Sequence, residues 1–291
     1  MTRQGNDVTV PAAPAQPWQE WIGRTEVVDE VLDLSRARNL AATLDLDLDL
    51  GPGDPLPPGW HWLYFNPFVR RGELGVDGHP RRGGFLPPVE LPRRMWAGSD
   101  VHYRAPLPAG AAGRRHSEIV QVRSTSGRSG DLVFVKVRHT IECEGVLRIE
   151  EVQDIVYRGH QVTAGAAPAA DDAGAPDRDA VVPDPTMLFR YSALTSNGHR
   201  IHYDRTYATA EEGYPDLVVH GPLTATLLQL FARGRRPDAR LEQFTFRGVA
   251  PLFVDRPIVL GVDAAEPPSL TVVARNAAGA TCMEAVARFG I

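Results

Sequence analysis

Residues 190–223 read RYSALTSNGHRIHYDRTYATAEEGYPDLVVHGPL and join one helical pattern to a second through a run dense in proton-carrying side chains. Three of the chain's nine histidines, His199, His202 and His220, fall here, with Asn197 and Asp204 between them. Histidine is the side chain whose ordinary pKa lies nearest neutrality, so the clustering points to proton chemistry more than to packing. The stretch closes on His220-Gly221-Pro222, and LTATLLQLFARG follows from Leu223. Proline in the first turn and Gly234 after the apolar run predict a helix over 222–232. The start of such a helix presents unpartnered N–H groups and partial positive charge, which suits a developing oxyanion or enolate.

Working outward, residues 188–196 predict a shorter helix before this segment. After it, residues 241–253, 257–266, 269–277 and 280–289 alternate apolar and polar side chains between Gly, Pro and Asn, as strands do. Upstream, residues 159–185 are dominated by Ala, Gly, Pro and Asp and read as a linker. Before the linker the order repeats. A helix is expected over 28–44, then the Pro/Gly-rich GPGDPLPPGWHWLYFNP, then strands over 99–109, 116–126, 132–142 and 146–158. HYRAPL at 102–107 echoes FRGVAPLF at 246–253, each ahead of a turn and an alternating strand. Shared order and a shared motif indicate an internal duplication. A long helix wrapped by an antiparallel sheet, made twice, is an α+β double hotdog. The expected parts are a tail at 1–17, a first half at 18–158, the linker, and a second half at 186–291.

Composition narrows the function. A hydrophobic content of 43% and a net charge of −5 describe a soluble globular chain with no general attraction to nucleic acid. No apolar run nears the ~20 residues of a spanning helix, and the Ala/Pro/Gln-rich start lacks a signal peptide's apolar core, so a cytoplasmic protein is expected. Cys143 and Cys282 are too few for a disulfide framework or a zinc site. His199 and His202 find no fitting carboxylate or thiolate spacing to complete a metal site, so neither metal nor cofactor is expected. Lys136 is the chain's one lysine, and each of its many arginines offers a bidentate anion contact.

The segment SALTSNGHRIHYD…VVHGPL resembles the MaoC-type hydratases, and most closely their branch of type 2 hydroxyacyl-thioester dehydratases. The resemblance implies a double hotdog with a degenerate, substrate-binding first half and one active site per chain. By position it places His202 on the family's catalytic histidine and Asn197 on its catalytic aspartate. It also places Gly221 on the glycine whose N–H accepts the thioester carbonyl. His199-Arg200 stands where the family has Asn-Pro. An amide cannot take a proton near neutrality, so the resemblance implies His202 as the single proton-transfer residue, with Asn197 positioning the water. The residues themselves leave alternatives open. Asn197 can close a helix C-terminus with Gly198, Asp204 can cap the loop, His199 can be a loop residue or a substrate contact, and His220 can orient the turn.

The implied reaction is reversible addition of water to a short branched or dicarboxylic 2-enoyl-CoA, with mesaconyl-C4-CoA to citramalyl-CoA as the specific expectation. A remote carboxylate needs a cation, for which Arg200 and Arg205 are the sequence-local candidates. Arg247, with Arg104 in the matching first-half element, is placed for the CoA entrance. Residues 70–84 (RRGELGVDGHPRRGG) read as a flexible arginine-rich loop suited to phosphates, and 59–67 as an aromatic core or rim. Two other readings remain: a hotdog that binds acyl thioesters without turnover, and an acyl-CoA thioesterase. The expected partner is the acyl-CoA alone, without nucleic acid or membrane, and a homodimer is in keeping with sheets that often associate further.

Overall fold

In the computed structural model, which describes residues 17–127, 130–159 and 179–290, the alternating segments form one continuous antiparallel sheet. The first half supplies β1 (Thr25–Val31), β2 (Arg93–Tyr103), β3 (Ala112–Gly127), β4 (Gly130–Cys143) and β5 (Val146–Arg158). The second supplies β6 (Ala180–Val181), β7 (Leu241–Gly248), β8 (Ile258–Glu266), β9 (Ser269–Arg275) and β10 (Thr281–Phe289). The order β1-β3-β4-β5-β2-β7-β10-β9-β8-β6 reads alike from both edges, so two equivalent five-stranded units meet at β2–β7. Asp100 opposes Thr245 at the centre of that seam, and its carboxylate accepts from the Thr245 hydroxyl and the Gln243 amide, each at 2.8 Å.

The APL echo is a structural repeat. Arg104 and Ala105 both donate to the Arg148 carbonyl at 2.8 and 3.1 Å, and Val249 and Ala250 donate to the Cys282 carbonyl at the same two distances. Leu56 N–H meets Leu107 O as Val219 N–H meets Leu252 O, both at 2.8 Å. The helices correspond too: α1 (Leu34–Thr43) is capped by Asp33 and α2 (Pro185–Leu194) by Asp184, each carboxylate accepting a first-turn N–H. Beyond them Asp45 and Ser196 both turn the chain at positive φ, 51° and 53°.

The halves differ where the long helix belongs. In the second, α3 (Gly221–Arg235) buries Leu223, Leu227 and Leu228 and packs against β7, β9 and β10. In the first, a single 3-10 turn, Trp60–Leu63, stands there, with all four side chains buried. The long wrapped helix is thus a feature of the second half, and the 59–67 aromatics are core.

Several boundaries differ from expectation: β2 lies at 93–103 instead of 99–109, α2 at 185–194 instead of 188–196, and β7 ends at 248 instead of 253. Residues 28–31 belong to β1, because TEVVDEV alternates and pairs with β3; the helix waits for the Asp33 cap. The linker ends early: Val181 and Ala180 pair with β8, and Asp184 already caps α2. Gly234 lies within the last turn of α3 rather than beyond it. Residues 160–178 of the linker and 1–16 of the tail lie outside the described residues. No described helix is long and apolar enough to cross a membrane.

The seam tolerates little bulk. A Cβ on Gly98 would collide with the Phe246 carbonyl across the β2–β7 pairing and lie 3.3 Å from Arg247 Cα. Gly98→Ala is expected to lower the unfolding free energy by about 1–3 kcal/mol in urea titrations. Gly72→Ala, where nothing lies within 4 Å, should stay within about 0.5 kcal/mol.

Candidate active site

The histidine segment is held from below. After α2, Asn197 N–H returns to the Ser192 carbonyl at 2.9 Å and its side-chain oxygen accepts from His199 N–H at 3.0 Å. That Asx-type bond turns the chain into a 3-10 segment, Arg200–His202, which Val218 closes by donating to the Ile201 carbonyl at 3.0 Å. His202 then lies 2.7 Å, through Nδ1, from the Val218 carbonyl. A carbonyl only accepts, so Nδ1 carries the proton and Nε2 keeps its lone pair. The ring is buried and stacks on His220, the residue before α3, with centroids 3.7 Å apart and planes at 19°. Burial pushes the His202 pKa down to about 4, with the Val218 bond opposing and His79 adding to the effect. A neutral imidazole with an exposed lone pair is a base.

Gly221, the first residue of α3, has an amide with no intrahelical acceptor. It borders the same cavity as His202, Asn197 and His199. The cavity occupies about 1860 Å³ and runs from this helix tip into the first half, where the 3-10 turn leaves room that α3 fills on the other side. Its far end is polar: Glu151 accepts from Ser99 Oγ at 2.7 Å and Trp62 Nε1 at 3.1 Å, and meets His61 Nε2 at 3.2 Å. Burial opposes ionisation of Glu151, but the His61 bond, the charge of His61 and His139, and the Ser99 bond bring its pKa to about 2. Burial likewise takes His139, bonded to Ser117, down to about 4.

Several expected contacts lie elsewhere. His220 is wholly buried beneath His202, bonded through Nε2 to Ser192 Oγ at 2.8 Å, and does not border the cavity. Arg200 forms a two-bond ion pair with Asp204 at 3.0 and 2.7 Å and covers the Tyr207 ring; Asp204 also accepts from Tyr207 N–H at 3.0 Å. Both fix the loop and leave the cavity to others. Arg205 pairs with Asp216 at 2.8 Å, Arg247 with Glu284 at 2.7 Å and Arg104 with Glu150 at 2.6 Å, all outside the cavity lining. A cation spent on a neighbouring carboxylate is a poor partner for a ligand's.

The residues unforeseen in the sequence come from the first half. The loop at 70–84 lies against the histidine segment, with Arg200 N–H donating to the Asp77 carbonyl at 2.9 Å and its guanidinium to Val76 O at 3.1 Å. Asp77 and His79 therefore border the cavity beside His199, whose ring centroid is 4.3 Å from that of His79. Asp77, His79 and His199 each offer one ligand atom within 4.8 Å of the others, but Asp77 is already bonded to His79 Nδ1 at 3.3 Å. Arg94 and Trp96 on β2 border the same space, and Arg94 forms no ion pair among the described residues. The signal in the sequence was slight: a Gly-His couple, Gly78-His79, inside a run that otherwise looked solvated.

Comparison with known proteins fits this geometry. The model of the family described as hydroxyacyl-thioester dehydratase type 2 matches residues 59–254. A mesaconyl-C(4)-CoA hydratase of Chloroflexus aurantiacus is 46% identical, over 94% of this chain and 98% of that protein. The mitochondrial hydroxyacyl-thioester dehydratase type 2 of Schizosaccharomyces pombe is 29% identical, over 70% and 76%. Among solved structures, HtdX of Mycobacterium tuberculosis superposes with a TM-score of 0.66 at 20% identity, over 92% of this chain and all of that one. A second Mycobacterium tuberculosis protein with a double hotdog fold gives 0.58 at 14%, over 92% and 96%.

Neutral buried histidines make stability depend on pH in a set direction. With a folded pKa near 4 and an unfolded one near 6.5, His202 and His139 contribute no penalty above pH 6.5. Stability is lost as pH falls from there toward 4, at up to about 1.4 kcal/mol per pH unit for each group. Urea unfolding between pH 6.5 and 5 should show this slope, and His202→Gln should reduce it by about one proton's worth.

Proposed function

Because this chain belongs to the hydroxyacyl-thioester dehydratase type 2 family, we propose that it hydrates a 2-enoyl-CoA reversibly, with mesaconyl-C4-CoA to citramalyl-CoA as its reaction. The observation that carries this is the His202 ring, its Nδ1 fixed by Val218 and its face against the residue that opens α3. Hydration needs a water deprotonated as it attacks C3, an enolate held on the thioester oxygen, and a proton delivered to C2. His202 Nε2 takes the water's proton. The Gly221 amide and the positive end of α3 hold the enolate oxygen, and glycine there lets the acyl group approach closely. Asn197, its oxygen occupied by His199 N–H, keeps its amide N–H2 to orient the water.

We read the first half, 18–158, as the substrate-binding half and 186–291 as the catalytic half, a reading supported by His202 and Gly221 both lying in the second. Mesaconyl-C4-CoA is named by the 46% identical relative, and its second carboxylate asks for a cation inside the cavity. Arg94 is the candidate: it borders the cavity on β2 and has no carboxylate partner among the described residues. A homodimer would have to form away from the β2–β7 seam, which already joins two hotdog units within one chain.

Loss of enoyl-thioester absorbance on mesaconyl-C4-CoA without release of free thiol is the expected result; thiol release would mark a thioesterase, and tight binding without turnover an inert module. His202→Gln should lower kcat by about 10²–10⁴-fold. Arg94→Gln should lower kcat/KM for mesaconyl-C4-CoA about 10–100-fold, the worth of one charge-assisted bond. It should leave crotonyl-CoA, which has no second carboxylate, nearly unchanged.

A further inference from the structure

We propose that Asp77 and His79, carried into the site by a loop of the first half, complete its proton chemistry: His79 delivers the proton to C2, and Asp77 positions and charges it. This rests on the hydratase reading and adds to it a second proton-transfer residue.

The need comes from Asn197. Where the site offers an amide in place of a carboxylate, His202 would have to take the water's proton and return it to C2 alone. Its ring faces that task without an anion: its Nδ1 partner is a neutral carbonyl. His79 is built differently. Asp77 Oδ2 lies 3.3 Å from its Nδ1, and Asp77 Oδ1 accepts from its backbone N–H at 3.0 Å, so ring and carboxylate move as a unit. Burial opposes the charge on Asp77, yet the bond and charge of His79 hold its carboxyl well below the ordinary range. The groups around the His79 ring are Asp77, which favours its protonation, and Arg94, Arg82 and His199, which oppose it. Burial lowers His79 as well, and the Asp77 carboxylate opposes that effect, an anionic partner that the His202 ring lacks.

The loop's seat is specific. Gly78, at φ 85°, lies so close to Gly198 that a Cβ on it would collide with the Gly198 carbonyl. A Cβ on Gly198 would come to 2.5 Å from Gly78 O. Two glycines facing each other let the backbones meet, one residue from His79 and one from His199. Arg200 N–H and its guanidinium tie the same loop down.

The step balances. His202 Nε2 accepts a proton from water as the oxygen bonds to C3, and the C2–C3 π pair moves to leave an enolate on the thioester oxygen. The carbonyl re-forms, and the electron pair returned to C2 takes the proton from His79 Nε2. His202 ends protonated and His79 neutral. His199, 4.3 Å from the His79 ring and 5.6 Å from that of His202, can pass one proton back and reset the site.

The test uses the full chain and mesaconyl-C4-CoA. His79→Gln should keep its circular dichroism and its KM within about threefold while kcat falls about 10²-fold or more. Exchange of the C2 hydrogen of citramalyl-CoA with solvent deuterium should fall in parallel. Asp77→Asn should move the limb of the kcat–pH profile set by His79 to lower pH by about one unit or more, a shift that a merely structural role would not produce. Full kcat in His79→Gln overturns the inference, as does an unaltered profile in Asp77→Asn. The second outcome decides even where the first variant fails to fold. A wild-type protein inert toward every enoyl thioester overturns the hydratase reading, and this inference with it.

Discussion

The site depends on one buried hydrogen bond, from His202 Nδ1 to the Val218 carbonyl. It selects the tautomer, because a carbonyl cannot donate, and so it decides which nitrogen faces the cavity. It also ties the ring to the sheet: the next residue, Val219, donates to Leu252 O in the turn after β7, and His220 leads into α3. Ring, sheet and helix tip are therefore set relative to one another by three consecutive residues. The neighbouring His220 bears a cost for this. Its Nδ1 is buried without a hydrogen-bond partner, an arrangement worth about 1–3 kcal/mol against folding. The same residue stacks on the His202 ring, with centroids 3.7 Å apart.

The duplication shows where the two otherwise equivalent halves part, at the start of α3. Through the matching hydrogen bonds of Leu56 and Val219, Pro57 corresponds to His220 and Pro58 to Gly221. Proline has no N–H, so the first half lacks the donor that would hold an enolate, whatever else it retained. Leu46, whose N–H returns to Ala41 O at 2.9 Å as that of Asn197 returns to Ser192 O, puts an aliphatic side chain where the second half has the Asn197 amide. The first half also does without the long helix, a 3-10 turn standing in its place. The cavity extends there, with Glu151 and His139 among its lining residues.

Much of this was legible in the sequence because it is local. Strand alternation and the Pro222 helix start follow from neighbours within a few residues, and the APL echo from one short motif read twice. The helix expected over 28–44 failed at its start because the apolar spacing of VVDEV fits either period, and pairing with β3 decided for a strand. The arginines were misjudged for a different reason. Arg200, Arg205 and Arg247 are near the catalytic segment or the entrance in sequence, but each meets a carboxylate that periodicity does not reveal. Arg94 lies more than a hundred residues from His202 and reaches the cavity only because β2 is the strand that joins the halves.

The loop at 70–84 shows how such distant pieces become one site. Its composition, Gly, Arg and Pro, is that of a solvated segment, and nothing in it is periodic. What seats it is the absence of two side chains: at Gly78 and Gly198 the backbones of the two halves touch where any Cβ would hold them apart. Close contact then lets Arg200 close over the loop, and its ion pair with Asp204 ties that clamp to the turn carrying His202. Asp204 and Arg200, which border no cavity, thus act on the site by holding first-half residues against second-half ones. The second half excised from this chain would keep His202 and Gly221 and lose the first-half loop that lies against them.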